Sequence, residues 1–226
     1  SPNTELALVV LLAFGYFIFV SVASAPGGAQ DEQLTDDALA SIVIYELLVI
    51  LLLFPFLLVR GWHLSAIGLK PSLKETLDGL AITAFFYLVY LGLAAAFVSP
   101  STLAEPAQSG SLISPTISLA LIVAVCIVNP VFEEVFVCGY VMSAIMERAA
   151  PAAAIAALDV VAIAASVGIR VLYHLYQGPA GAAAILLLGL IFSLYYVRTG
   201  RLWPLIVAHS VLDFVALFAV YDQPQA

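Results

Sequence analysis

Long apolar stretches follow one another along the chain, separated by short polar segments. About seven of them approach or exceed the roughly 20 residues that an α-helix needs to cross a bilayer. They lie near 6–25, 39–59, 79–98, 116–146, 152–176, 182–197 and 203–221. The alternating short strands of a membrane β-barrel do not occur in the sequence. The pattern predicts an all-α fold, a polytopic transmembrane helical bundle of about seven, or eight, spans.

Basic and acidic residues fall in alternate loops between these stretches. Six of the seven Lys and Arg residues lie in the loops 60–78, 147–151 and 198–202, and the other loops are acidic. Because cytoplasmic loops collect Lys and Arg, we expect these three loops and the N-terminus in the cytoplasm. We expect an integral protein of a bacterial or archaeal plasma membrane. No basic patch is present that would bind nucleic acid.

The Pro-, Ser- and Gly-rich stretch 99–115 divides the chain. We expect one membrane domain over 1–226, with three N-terminal spans in 1–98 and a core that carries the chemistry in 115–221. Ala23-Ser24-Ala25 resembles a signal-peptide cleavage site, but the apolar run before it is long and has no basic flank. The first segment is therefore expected to stay as a span.

Composition makes the ionisable residues inside the apolar stretches conspicuous. The chain is 64% hydrophobic with a mean hydropathy of +1.13, which excludes an ordinary soluble domain. A charged group in a bilayer costs about 2.5–3.5 kcal/mol on insertion scales, so it usually faces the bundle interior and has a function. The ionisable residues in question are Glu46, Glu133, Glu134, Asp159, Arg170, His174, His209 and Asp213.

Two adjacent acids, Glu133 and Glu134, occur within one predicted helix and so point about 100° apart. Asn129 lies one turn before Glu133 on its face, and Cys138 lies one turn after Glu134 on the other. One acid can take part in chemistry while the other anchors the helix. The alternative is that both are structural and bond to neighbouring helices.

Two histidines occur beside further charges. Arg170 lies one turn before His174 and needs a carboxylate or carbonyl partner, for which Glu134 is the obvious candidate. His209 and Asp213 share a helix face, so Asp213 can orient the imidazole or join the site directly. Each histidine also has a purely structural reading, as a helix-to-helix hydrogen bonder or a self-contained His–Asp pair. Because the histidines fall at different depths, a shared site requires the 152–176 segment to be tilted, broken or re-entrant.

Two carboxylates and two histidines allow three chemistries. A carboxylate can take a proton from water while histidines position that water or the developing oxyanion. Glu and His residues can instead hold zinc around an open position, although the HExxH motif is absent. The same groups could relay protons in transport, which fits poorly without matched repeats. Glu46 and Asp159 have no partner motif and are interpreted as structural.

Three motifs, in this order, resemble those of the CPBP family (the CAAX protease and bacteriocin-processing, or Abi, group), which is similar to the Ras-converting CAAX endopeptidase. The family has a Glu pair followed after three residues by Arg; here the segment is Glu133-Glu134-Val-Phe-Val-Cys138-Gly139. Its second motif, Phe–x3–His, corresponds to Arg170-Val-Leu-Tyr-His174, and its third, His–x3–Asn/Asp, to His209-Ser-Val-Leu-Asp213. The resemblance covers roughly 115–215.

This resemblance implies a membrane endopeptidase of the glutamic type, a hydrolase that needs no metal or other cofactor. Its partners would be the bilayer and a peptide or protein substrate in or at the membrane. Glu133 would be the general base on water, and His174 would hold the same water. His209 and Asp213 would stabilise the oxyanion. Since an ionised Asp213 cannot donate a hydrogen bond, it would be protonated or would orient His209.

Two departures from the family pattern occur together. Cys138 stands where the family has Arg, and Arg170 stands where the second motif has Phe. We hypothesise that Arg170 pairs with Glu134 across two helices in place of the missing intrahelical pair. Two alternatives stay open: an inactive or repurposed member that acts as an immunity, scaffold or regulatory protein, and a zinc-dependent membrane endopeptidase. The natural substrate, its prenylation and the oligomeric state stay open too.

Overall fold

The computed structural model describes residues 1–25, 35–97, 117–147 and 152–221. All regular secondary structure in these ranges is helical, which confirms the predicted all-α fold. The helices are α1 (Pro2–Ser24), α2 (Asp36–Val59), α3 (Leu73–Phe97), α4 (Leu119–Met146), α5 (Ala152–His174), α6 (Gly178–Thr199) and α7 (Trp203–Tyr221). The acidic loop 26–34, the dividing stretch 99–115 and most of the predicted loop 147–151 lie outside the described residues.

Among the described residues, five stretches are long and apolar enough to cross a membrane: α1 to α4 and the stretch Ala157–Thr199. The last of these consists of α5 and α6 packed antiparallel, since Ser193 Oγ donates to Ser166 Oγ over 2.9 Å and Gly189 lies against Val167. Trp203–Ala219 is a shorter apolar helix. The protein is therefore an integral membrane protein, and the number of seven or eight spans stays a prediction.

Alternate loops meet at one end of the bundle. Arg60 Nε at the end of α2 donates to Glu5 Oε2 near the start of α1, over 2.7 Å. Leu202 N, before α7, donates to Gly68 O over 3.0 Å. The first residues of the chain, the 60–72 loop and the 200–202 loop therefore lie together, as the alternating charge pattern predicts. That this end faces the cytoplasm stays a prediction.

The remaining ends of the helices contact one another at the opposite end of the bundle. Tyr176 N, after α5, donates to Ser21 Oγ near the end of α1 over 3.1 Å. Ser118 N, before α4, donates to Asp36 Oδ1 at the start of α2 over 2.7 Å. Neighbouring segments of the chain thus run in opposite directions through the bundle.

The third helix begins earlier than its hydropathy suggests. The apolar run starts near 79, and the stretch 60–78 was expected to be an interfacial loop or to contain a short surface helix, whereas α3 itself begins at Leu73. Ser72 Oγ accepts a hydrogen bond from Glu75 N over 3.2 Å, which caps the first turn. Local capping therefore extends the helix into polar sequence that hydropathy assigns to a loop.

The fourth helix forms the centre of the bundle and changes its winding. Sixty-one per cent of its apolar window is buried inside the protein, against 17–28% in the other four stretches. It is α-helical over Leu119–Glu134, π-helical over Val135–Met142 and α-helical again over Ser143–Met146. The two acids end the first α-helical part. The helix that carries them is therefore the one best sheltered from lipid.

Candidate active site

Glu134 lies at the centre of a buried polar cluster between α4, α5 and α7. Its Oε2 accepts from Arg170 Nη2 over 2.7 Å, and its Oε1 lies 2.8 Å from His209 Nδ1. Glu134 and Arg170 are fully buried. The pairing of Arg170 with Glu134 across two helices, which the sequence predicted, is present in the structure. Because both oxygens of Glu134 have a partner, this acid ties α4 to α5 and α7.

Arg170 contacts both acids of the pair. Its Nη1 donates to Glu133 Oε2 over 3.2 Å, in addition to the bond between Nη2 and Glu134. Nη2 also lies 3.6 Å from Cys138 Sγ, so the guanidinium approaches the position where the family has its own arginine. The Phe192 ring lies on another side, with its centroid 5.8 Å from Cζ. A buried guanidinium that bonds two carboxylates is expected to hold them in a fixed relative position.

Glu133 has a different environment from Glu134. Its Oε2 accepts from the Tyr173 hydroxyl over 2.5 Å as well as from Arg170, and its Oε1 accepts from Asn129 Nδ2 over 3.1 Å. A carboxylate offers about four lone-pair sites, so these three donors leave roughly one site, on Oε1. Glu133 also lines a cavity of about 170 Å³. It therefore combines a fixed orientation with room for one further donor.

The ring of His209 lies among three carboxylates. Besides the contact between Nδ1 and Glu134, its Nε2 lies 3.9 Å from Glu133 Oε2 and 3.5 Å from Asp213 Oδ1. His209 and Asp213 are four residues apart on α7, so the helix presents both to the same region. Both residues of the third sequence motif therefore join the acid pair.

His174 is the last residue of α5 and lines the same cavity as Glu133. Its Nδ1 lies 2.9 Å from the carbonyl oxygen of Arg170. Because a carbonyl only accepts, Nδ1 carries the proton, and Nε2 is the ring nitrogen left to interact with a ligand. A 3₁₀ turn over Leu175–Gln177 follows, and Gly178, with φ 75°, helps to reverse the chain. The α-helix is therefore continuous over Ala152–His174 and ends close to the expected bound at 176, and a tilt of this segment in the membrane stays a prediction.

The cavity brings in residues that the sequence did not assign to a site. Tyr173, beside His174, bonds Glu133, and Glu46 on α2 accepts from Asn129 Nδ2 at its Oε1 over 2.7 Å. Glu46 was interpreted as structural because no motif surrounds it. Its place in an apolar stretch was the only signal available, and Tyr173 gave none beyond its position next to a histidine.

A metal ion fits this cluster poorly. Single ligand atoms of Glu133, Glu134 and His209 lie within 4.8 Å of one another, and such a donor set could hold zinc with one open position. However, the guanidinium of Arg170 already bonds both carboxylates. A divalent cation on the same carboxylates would be repelled by this fixed positive charge.

The fold and the cluster together define an integral membrane protein with a buried acid–arginine–histidine centre that opens to a cavity. Comparison with known families agrees with this class. Residues 115–215 match the family model for the type II CAAX prenyl endopeptidase Rce1-like family, so this part of the chain is similar to that protease family. The match confirms the predicted resemblance to the CPBP family. No match was found among curated proteins or among solved structures.

Proposed function

We propose that the protein is an intramembrane endopeptidase of the glutamic type, which hydrolyses a peptide bond in a membrane-associated peptide or protein tail. The observation that carries this proposal is the position of Glu133. Its carboxylate is oriented by three donors, has one acceptor site left and lines a cavity beside His174. Similarity to a protease family over 115–215 supports the reaction class.

The proposed reaction uses water as the nucleophile. Glu133 Oε1 and His174 Nε2 both accept hydrogen bonds, so together they can hold the two hydrogens of one water molecule. As the water oxygen attacks the peptide carbonyl, its proton passes to Glu133. The C–N bond then breaks as the amine takes that proton, which gives a carboxylic acid and an amine. No covalent enzyme intermediate forms.

His209 is placed to stabilise the oxyanion of the tetrahedral intermediate. When both ring nitrogens carry protons, Nδ1–H donates to Glu134, and Nε2–H is the donor that can face the oxyanion. We propose that Asp213, 3.5 Å from Nε2, accepts from Nε2–H before the reaction and so orients the ring, until the oxyanion replaces it as the acceptor. Glu134 and Arg170 would hold the three helices that carry these groups.

The decisive variant is Glu133→Gln. The purified protein would be reconstituted in proteoliposomes and incubated with membrane-anchored peptides, with and without a C-terminal prenyl group, and products identified by mass spectrometry. Cleavage should fall by about 10²–10⁴-fold, because an amide cannot take the proton from water. Glu147→Gln makes the same chemical change at an exposed position and serves as the matched control. Cleavage by Glu133→Gln at the wild-type rate would exclude the glutamic mechanism.

A zinc endopeptidase is the second candidate, because three potential ligand atoms lie close together. We propose a metal-independent reaction on account of Arg170. Metal analysis of the purified protein and assays with a chelator distinguish the two. Stoichiometric zinc, with activity lost on chelation and restored by added zinc, would favour the second candidate.

A non-enzymatic role as an immunity, scaffold or regulatory protein is the third candidate. It is favoured by Cys138, which stands where the family has its arginine. Replacing Glu133, His174 and His209 together separates the possibilities. A cellular effect that survives the triple substitution would support this role over proteolysis.

A further inference from the structure

Glu46 is a buried carboxylate with one oxygen unused. It is 1% exposed, lies in the middle of α2 and lines the cavity that Glu133 and His174 also line. Its Oε1 accepts from Asn129, but its Oε2 has no hydrogen-bond partner among the described residues. A buried polar atom without a partner is destabilising, and more so if it is charged. A bound ligand could therefore supply the partner that Glu46 Oε2 lacks.

The charges around the cavity indicate what kind of ligand this is. Four carboxylates, those of Glu46, Glu133, Glu134 and Asp213, belong to the centre and its cavity, against one arginine and two histidines. Arg170 bonds Glu133 and Glu134. His209 lies among Glu133, Glu134 and Asp213. Within the described part of the chain, the ion pairs do not include Glu46. A cation is the ligand that would complete this arrangement.

The cavity walls suit a cation carried on an apolar stem. Phe14, Phe17, Phe132 and Tyr173 contribute aromatic surface around the carboxylates. Aromatic faces attract cations and also pack well against methylene groups. Lysine and arginine side chains have this combination of an apolar stem and a charged end.

We propose that this cavity is a substrate subsite for a lysine or arginine side chain of the bound peptide, with Glu46 as its ion-pair partner. The inference rests on the proposed function, because the side chain belongs to the peptide that Glu133 cleaves. Asn129 Nδ2 donates to both Glu46 Oε1 and Glu133 Oε1, so a single nitrogen atom bridges the two carboxylates. An extended peptide advances about 3.3 Å per residue. The basic residue therefore lies within about two positions of the scissile bond.

The test compares peptides that carry lysine, norleucine or glutamine at each of the two positions on either side of the cleaved bond. Norleucine keeps the apolar stem and removes the charge. For the wild-type protein in proteoliposomes, lysine at one position should raise kcat/KM about tenfold over norleucine, mainly through a lower KM. In Glu46→Gln this preference should disappear, so that the lysine and norleucine peptides are cleaved with similar kcat/KM. Glu147→Gln should keep the preference.

Binding of the same peptides in fluorescent form gives a readout that does not depend on cleavage. The lysine peptide should bind wild-type protein about tenfold more tightly than the norleucine peptide. Equal KM and equal binding at all four positions would overturn the inference, and so would a lysine preference that persists in Glu46→Gln. Such results leave cleavage by Glu133 untouched. Failure of the proposed function would give a different result: either no cleavage by the wild-type protein, or cleavage at the same rate in Glu133→Gln. If Glu46→Gln does not fold, the wild-type peptide comparison alone decides.

Discussion

Glu133 and Glu134 are neighbours in the sequence but occupy different environments. Both oxygens of Glu134 are bonded, one to Arg170 and one to His209, and the residue is fully buried. Glu133 shares Arg170, but it also lines a cavity and keeps one acceptor site. Because adjacent helical residues point about 100° apart, one helix can direct one acid to its neighbours and the other to a ligand.

This difference indicates how a membrane protein can keep several charges in its interior. Around Glu134, nearly every buried polar side-chain atom has a hydrogen-bond partner. Among the described residues of this group, Arg170 Nε is the buried atom without one. The cavity side keeps an unpartnered oxygen on Glu46. We infer that stability depends on the first side and ligand recognition on the second. The substitutions below test this division, from the largest expected effect to the smallest.

Replacing Arg170 should be the most damaging change on the Glu134 side. Removing one partner of a buried ion pair leaves the other charge uncompensated and typically costs about 3–5 kcal/mol. We expect Arg170→Phe to lower the free energy of unfolding by about this amount, measured by denaturant titration in detergent micelles. Arg201→Ala, which removes a half-exposed arginine, should have a much smaller effect.

The same variant tests whether the arginine has moved between helices. Adding Cys138→Arg to Arg170→Phe places a guanidinium on α4, one turn after Glu134. Part of the lost stability or activity should return. If the double variant is no better than Arg170→Phe alone, the two positions are not equivalent and the hypothesis is wrong.

His209 lies between the two sides, so its loss should reduce catalysis more than folding. Removal of one oxyanion donor costs about 10²–10³-fold in kcat. We expect this fall for His209→Gln, whose side-chain amide can still donate to Glu134. KM should change little. The exposed His63 provides the matched control, His63→Gln, with wild-type kinetics expected. An unchanged kcat in His209→Gln would remove this residue from the reaction.

Replacing the carboxylate of Asp213 by an amide should have a small effect on catalysis. If it orients His209 by accepting from Nε2–H, asparagine can do the same, and kcat for Asp213→Asn should stay within about tenfold of wild type. Asp213→Ala removes the acceptor and should lose more activity. A loss for Asp213→Asn as large as that for His209→Gln would show that a carboxylate at this position is needed.

The smallest effect on stability is expected for an exposed ion pair. Lys74 Nζ lies 2.6 Å from Asp78 Oδ2, one turn apart on α3, and the lysine side chain is 70% exposed. Helical surface pairs of this kind contribute about 0.3–0.5 kcal/mol. Lys74→Ala should therefore change the free energy of unfolding by no more than this, in the same titration. A larger effect would mean that the charges at this end of the bundle act together.

In the described part of the chain, each apolar stretch indicated by hydropathy corresponds to a helix, because burial in lipid leaves long apolar runs in the sequence; the number of spans stays a prediction. Hydropathy missed the start of α3, where a serine cap determines the boundary. The pairing of Arg170 with Glu134 was predictable because a buried guanidinium requires an acid and few acids were available. The sequence roles of Glu133, His174, His209 and Asp213 stay predictions until the variants are assayed.

The cavity walls could not be predicted from the motifs. Phe14 and Phe17 come from α1 and Glu46 from α2, more than 80 residues before the acid pair, and nothing local distinguishes them from lipid-facing neighbours. Tyr173 bonds Glu133 only because α5 ends beside α4. Such contacts depend on how helices pack, which a periodic apolar pattern leaves undetermined.

The π-helical stretch Val135–Met142 also bears on how this chain can vary in length. A π-turn holds one residue more than an α-turn, so deletion of a single residue there can be absorbed by a return to α-helical winding. The same deletion in Leu119–Glu134 would rotate both acids away from Arg170. Relatives of this chain are therefore expected to differ by single-residue gaps after the acid pair, and to keep constant spacing before it.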